Sequence, residues 1–531
     1  MRMGKVLGAA AGVAVLAGIG YWGAGYYMGQ KVIRELDAAL AQVPEGVKVT
    51  RGSATFSLAT QTLHVENLVI AGANLRGEAA ALDIQGLSMR ALASGLRADD
   101  TTATEQDVVP VASHITLRDI KVSGEGVEET IALSEMDQIG FRPWALHQPG
   151  TPTLDQVKAA FAAVSDRLAT APQAPLLPLE MSGPFQILAQ AMAVGLLVVD
   201  YGDITQTGIS ARLKVPVVGP TGVGASPGQV VAGYDRVVLK GFHAGVYGPM
   251  EMTGLTETLP QGVVKVAQST WAGGDLRAPA HALLRGEPLS EAMFNGVSVG
   301  SFSINGLSGQ GPNGQPLQLG SMTLDPIVVA DGHIPAGGLT LQGLVIDTAG
   351  LGDPQTGALA KAMGLTKLTM GMALHYKWDV KGSAVTLERT SVKVDELGEL
   401  TLDAQFHGTA SNQDLTTLLQ SAQLDQARLS YVDHTLVDRL LRFNASQQGK
   451  TVDAARDQVV ATLQANGQVL AASPRGEALL KAVVALVRKP GTLTLDAKPA
   501  APVPLVPFFT SAMPAPAVVI DTLGLDATTA P

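Results

Sequence analysis

The chain has 531 residues, of which 46% are hydrophobic and 16% charged, with a formal net charge of −10 and no cysteine. That length exceeds one ordinary core, so two or three domains are expected. The absence of cysteine excludes disulfides, thiolate catalysis and Cys-based metal sites, and an acidic chain without a basic cluster argues against nucleic acid as a partner.

The first 45 residues read as a membrane anchor with a juxtamembrane helix. Residues 6–30 carry no formal charge, and at 1.5 Å per residue they would make about 37 Å of helix, against a hydrocarbon core of about 30 Å. Val6, Leu7, Val13, Leu16 and Ile19 supply the apolar body. Tyr21, Trp22, Tyr26 and Tyr27 crowd its end, where amphipathic rings favour the interface. Arg2 and Lys5 ahead of the span lean it towards an N-terminus inside and a body outside. A cleaved signal peptide, with Ala17 and Gly18 feeding the peptidase, is the alternative. Residues 32–40 continue helically until Pro44-Glu45-Gly46 stops them.

Residues 46–170 form a first β-rich segment with a closing helix. Its units LHVENLVI (63–70), LDIQGLSM (82–89) and ITLRDIKV (115–122) share an eight-residue rhythm with VVLKGFHA (237–244), MEMTGLTE (250–257), FSINGLSG (302–309) and LTLQGLVI (339–346). Apolar residues alternate with period two, then the next arrives one position early. The residue before it is Gly, Asn or Asp, which tolerate positive φ, so a β-bulge there would return the following side chain to the same face. Residues 97–106 read as a hairpin loop or lid. A helix over 153–169 is started by Thr153 with Gln156 three residues on.

Residues 171–408 form the second β-rich segment, entered through a proline-rich crossing. The stretch 185–201, without charge until Asp200, reads as a buried helix running into a strand, with a short second membrane span, weakened by Gln186, Gln190 and Gly195, as the alternative. Helices are expected near 280–294 and 355–363, and a meander over 368–376, 384–394 and 400–407. Residues 409–531 read as a helical cap, with helices at 414–421, 435–446, 451–465 and 475–488, and closing strands at 492–496 and 518–523. The fold class expected is therefore α+β, mainly β: an N-terminal transmembrane helix, a long curved and mostly antiparallel sheet with covering helices, and the helical cap. The candidate apolar sheet face comprises Leu63, Val65, Leu82, Ile84, Ile115, Leu117, Phe302, Ile304, Leu339 and Leu341.

No motif carries convincing chemistry. Tyr431, Asp433 and His434, followed by Thr435, Asp438 and Arg439, offer a carboxylate, an imidazole and a guanidinium, but read better as a helix start capped by Thr435 with Asp438 as its pair. Gly296-Val297-Ser298-Val299-Gly300 matches a nucleophile elbow in letters only, since a helix precedes it and a strand follows. The segment 444–451 ends like a P-loop without its first glycine. The nine histidines are dispersed, and His64 and His243 fall at outward positions of the rhythm. No catalytic, cofactor or metal residue is assigned.

The aromatic anchor end GYWGAGYYMGQ, the run GVKVTRGSATFSLATQTLHVENLVI, the repeated LxLxGL strands and the meander around LTLDAQFHGTASN resemble the AsmA-like and YdgA-like envelope proteins of Gram-negative bacteria over roughly residues 1–408. The resemblance implies a β-rich periplasmic body held by a single span in the inner membrane, no enzymatic activity and no cofactor, and a role in lipid or outer-membrane homeostasis. The expected partners are the membrane, a phospholipid or other lipid, and an envelope protein. The expected function is lipid handling through the sheet. The alternatives are scaffolding that recruits proteins by a sheet edge, and hydrolysis of an envelope polymer at a site assembled from distant loops.

Overall fold

The computed structural model describes residues 48–531 except 58–59, 73–74, 89–102, 125, 154, 158, 161, 165–182, 218–225, 260–261, 288–289, 311–315, 349–353, 380, 409–420 and 507–514, and ahead of residue 48 it describes residues 33 and 37. The chain divides into two compact units, residues 1–300 with 329–332, and residues 301–328 with 333–531. That division falls inside the segment 171–408.

The first unit is an antiparallel meander. β1 (Lys48–Thr50) and β2 (Ala54–Ser57) share one side of β3 (Thr62–Ala71), which is followed by β4 (Leu75–Gln85), β5 (Val109–Gly124), β6 (Val127–Phe141), β7 (Val199–Val217) and β8 (Ser226–His243). After the short β9 (Val246–Tyr247), β10 (Met250–Leu259) pairs with β8 and β11 (Gly262–Trp271) with β10. The two-residue strands β12 (Gly274–Asp275) and β13 (Ser298–Val299) pair with each other. The inward positions of β3 to β6 form one core, with Val65, Leu117, Ile120 and Ile131 each at 1–2% exposure. A second core packs the helix α1 (Pro184–Val198) and the helix α2 (Arg277–Leu284) with the 3-10 turn Pro143–His147.

Several local expectations are met. The N–H of Thr153 donates to Gln156 Oε1 (2.7 Å) and the N–H of Gln156 to Thr153 Oγ1 (3.3 Å), a reciprocal helix cap. α1 runs directly into β7 at Val199. The helix expected over 280–294 is instead α2 and a separate 3-10 turn (Glu291–Phe294), because Gly286, at φ +79°, ends the first of them.

The transmembrane expectation is corrected. Among the described residues no helix is long and apolar enough to cross a membrane. The uncharged α1 has 15 residues, about 22 Å against a core of about 30 Å. The anchor residues Val6, Leu7, Val13, Leu16, Ile19, Tyr21, Trp22, Tyr26 and Tyr27 lie outside the described residues. The described fold is therefore α+β and mainly strand, with no membrane-spanning helix among the described residues, and placement in an inner membrane by a single N-terminal span loses its structural basis.

The second unit is also an antiparallel meander: β14 (Phe302–Gln310), β15 (Pro316–Leu324), β17 (Ala336–Asp347), β18 (Lys367–Asp379), β19 (Ala384–Val394), β20 (Gly398–His407), β21 (Gln423–Asp433), β22 (Thr492–Ala497) and β24 (Leu525–Ala530) pair in that order. The short β16 (Ile327–Val328) precedes β17, and β23 (Val503–Pro504) pairs with the start of β21. Its helices are α3 (Pro354–Ala362), α4 (Leu436–Gln448), α5 (Val452–Asn466), α6 (Pro474–Arg488) and α7 (Pro516–Thr522). The cap predicted as helical contains an unforeseen strand, β21. Its last strand is also not 518–523: Pro516 sits at the first helical turn, Gly524 ends the helix at φ +58°, and the strand begins after it.

The rhythm itself is the clearest correspondence. In all seven units the fifth residue has positive φ: Asn67 48°, Gly86 58°, Asp119 51°, Gly241 71°, Gly254 68°, Gly306 65° and Gly343 66°. The pairing of β17 with β18 shifts register across one of them, between Leu341 and Leu344. Each left-handed residue absorbs the extra position and keeps the next apolar side chain on the buried side. Gly208 (φ 62°) does the same in β7, and Gln138 and Arg389 (φ 51° and 47°) do so in β6 and β19 without announcing it by residue type. An ideal Cβ on Gly343 would stand 3.3 Å from Gly320 N, a close contact, so Gly343→Val is expected to act through backbone strain and crowding against β15, lowering stability by about 1–3 kcal/mol in urea unfolding.

Candidate functional site: an open apolar face

The candidate face residues fall into two environments. Leu63, Val65, Leu82, Ile84, Ile115 and Leu117 are buried at 1–6% exposure in the core of the first unit. That part of the face is closed. Phe302, Ile304, Leu339 and Leu341 are half-buried in the second unit, where they belong to a broader surface.

Strand register assembles that surface into two rows. In the first, Ile304 pairs with Met322, and the row continues through Leu341, Met372, Val392, Leu400, Tyr431 and Leu493. In the second, Phe302, Leu324, Leu339 and Leu374 are neighbours. Beyond the bulge at Arg389, the row runs through Thr390, Leu402, Leu429 and Leu495. Each row crosses eight strands, about 34 Å at 4.8 Å per strand, and the rows lie about 7 Å apart along the strands. Neither contains a charged residue. Leu324, Met372, Leu374, Val392 and Leu400, on β15, β18, β19 and β20, are 37–41% exposed, high for apolar side chains grouped on one sheet face.

Tyr431, next to last in the first row, brings a polar group to it. Tyr431 donates its hydroxyl to Asp433 Oδ1 at 2.8 Å, and burial first, then this hydrogen bond, raises its pKa well above the ordinary tyrosine value. The phenol therefore remains a donor at any physiological pH. Gly398 makes room for the ring, since a Cβ there would stand 3.0 Å from Tyr431 Cε2.

The remaining polar candidates resolve into structure. Asp433 caps α4 by accepting from the N–H of Val437 at 3.0 Å, whereas Thr435 Oγ1 donates to Glu396 O and accepts from Arg439 Nε. The cap is thus the aspartate two residues earlier than expected, because Thr435 is occupied with the preceding turn. Asp438 pairs with Arg456 at 3.0 Å, and Arg439 with Glu396 at 2.8 Å. His434 is exposed. Ser298 lies in β13 beside Asp275, not at a strand-to-helix elbow. Among the described residues, no group of three or more His, Asp or Glu side chains could hold a metal ion.

Sequence reading missed an arrangement on the opposite, polar face. Five histidines bind an aspartate on another strand through Nδ1: His64 with Asp83 (2.6 Å), His114 with Asp137 (2.6 Å), His243 with Asp200 (2.9 Å), His375 with Asp325 (2.8 Å) and His407 with Asp425 (2.5 Å). The signal was available once: His64 and Asp83 both occupy the second position of successive rhythm units and pair directly. Around the fourth pair lies a 710 Å³ depression lined by Lys377, Glu388, Arg389 and Asp403. The hydrogen bond to Asp83, opposed by desolvation, raises the pKa of His64 above its ordinary value. Its contribution to stability is therefore present below about pH 6.5, the unfolded value, and is lost as pH rises through the raised folded value. His64→Gln is expected to remove that part of the pH dependence, and the wild-type His64 ring is expected to titrate above 6.5 by NMR.

A family model described as "Uncharacterized protein" matches residues 391–530, a span that runs from the last residues of β19 through β24 and includes α4 to α7. No curated protein matches the chain.

Proposed function

We propose that this chain is a non-enzymatic lipid-handling protein that seats acyl chains on the two apolar rows of its second unit. The observation that carries the reading is the uncharged eight-strand surface with five side chains on β15, β18, β19 and β20 that are 37–41% exposed, whereas the candidates of β3 to β5 are closed. The resemblance of the strand rhythm to AsmA-like proteins points the same way.

Magnitudes select the ligand class. A fully buried CH2 gains about 0.8 kcal/mol, so a chain of about sixteen carbons half-covered by an open face gains about 6 kcal/mol, equivalent to tens of micromolar. Two rows about 7 Å apart seat two such chains side by side, which favours a two-chain lipid over a fatty acid. The test is titration of the full-length protein with a fluorescent fatty acid. Saturable binding, displaced by a diacyl phospholipid at lower concentration than by its single-chain counterpart, is the expected result. Absence of saturable binding would contradict the reading.

A further inference from the structure

Among the described residues β24 is paired on one side only, with β22. Lys498 N–H reaches Gly524 O, and the register places Ala497 opposite Leu525 and Thr492 opposite Ala530. Hydrogen-bonded pairs alternate along an antiparallel ladder, so Asp526, Thr528 and Ala530 turn their N–H and C=O towards β22. Leu525, Ala527 and Thr529 turn theirs to the open edge. The strand has no lysine, no proline and no bulge; it carries one charge, Asp526, paired with Arg475 at 3.4 Å, and α6 packs against it. By contrast, the edge of the first unit is cut into β1 of three residues and β2 of four, with Lys48 in one and the ion-paired Arg51 between them.

We propose that β24 pairs antiparallel with β24 of a second copy of this chain, with Ala527 opposite its own counterpart. In that register Leu525 faces Thr529 of the second copy, and all three outward N–H and all three outward C=O groups of each strand find partners, six hydrogen bonds in all. Asp526 faces Thr528, so no like charges are opposed. Centring on Asp526 would set the two aspartates against each other. Centring on Thr528 would place Leu525 opposite Pro531, which has no N–H to give. An intermediate shift would turn the apolar face of one copy to the polar face of the other. Only the Ala527 register also extends the row of Leu402, Leu429, Leu495 and Ala527 into the second copy. A strand of six residues makes a small interface, so the pairing is concentration-dependent.

The chain has no cysteine, so a single introduced thiol reads the register directly. Full-length Ala527→Cys under mild oxidation is expected to give a disulfide-linked dimer, because bonded antiparallel partners sit about 5.5 Å apart at Cα, within disulfide range. Leu525→Cys is expected to stay uncrosslinked, its counterpart being about 13 Å away. Ala527→Pro removes an outward N–H without touching the β22 ladder, and is expected to abolish the monomer–dimer equilibrium seen by sedimentation while leaving the thermal unfolding temperature within a few degrees. Failure of Ala527→Cys to crosslink, equal crosslinking of Leu525→Cys, or a dimer that survives Ala527→Pro would overturn the proposal. Acyl binding is measured separately, so the two readings can fail independently.

Discussion

Leu117→Ala is expected to destabilise the first unit by about 2–5 kcal/mol, whereas Leu400→Ala is expected to cost the second unit less than about 1 kcal/mol. Both are leucines at the inward phase of a strand, but Leu117 is 1% exposed and Leu400 41%. Truncating Leu117 leaves a cavity whose walls, including Val65 and Ile120, relax only in part. At Leu400 much of the lost surface was already in water. A chain of two units need not unfold in one step, so the measurement is urea unfolding read by hydrogen exchange of peptides from β5 and β20 separately. Equal costs would mean that the second face is as closed as the first.

The second large effect concerns binding. Met372→Asp combined with Leu400→Asp places two carboxylates in the first row, one residue apart across β19. Each would remove contact with three or four methylenes of a chain lying along the row, about 1.4 kcal/mol at half coverage and hence about tenfold. The pair is expected to weaken acyl binding about 100-fold. The fold is expected to survive, since both side chains already reach solvent and the new carboxylates are not directly opposite. The matching control is Lys377→Asp on the polar face, which is expected to leave binding unchanged. Acyl binding that ignores the double variant would place the ligand elsewhere.

How much of this was legible in the sequence depends on how local the signal is. A phase slip marked by Gly, Asn or Asp is read by the backbone of that residue, which is why all seven units could be recognised and all seven have positive φ. Gln138 and Arg389 show the limit: a side chain with no preference for the left-handed region is held there by the surrounding ladder, and residue type says nothing. Helix caps were equally local at Thr153, and failed at Thr435 because its hydroxyl is taken by the carbonyl of Glu396, a residue 39 positions away. The strand β21 was missed because its apolar positions Leu424, Ala427, Leu429 and Tyr431 slip phase without a glycine between them. The run Val518-Val519-Ile520 suggested a strand by composition, yet Pro516 and Gly524 bracket a helix, and boundary residues outweigh propensity there.

The face itself was half legible. Which residues share a side follows from alternation; of the ten candidates, six are buried and four half-buried. Whether that side is covered depends on what packs above it, and strand periodicity does not encode this. The first and third rhythm residues of β3 to β5 are buried at 1–6%, whereas the same positions in β8, β10, β14 and β17 are half-buried. The histidine–aspartate pairs are non-local in the same sense, joining residues 18 to 50 positions apart.

Extraction of the purified full-length protein, washed free of detergent, followed by mass spectrometry of the extract, tests the central claim most directly. A two-chain lipid is expected in stoichiometric amount, retained through the wash and diminished in the Met372→Asp, Leu400→Asp double variant. A folded protein that carries no lipid, and takes none up from phospholipid vesicles, would contradict it.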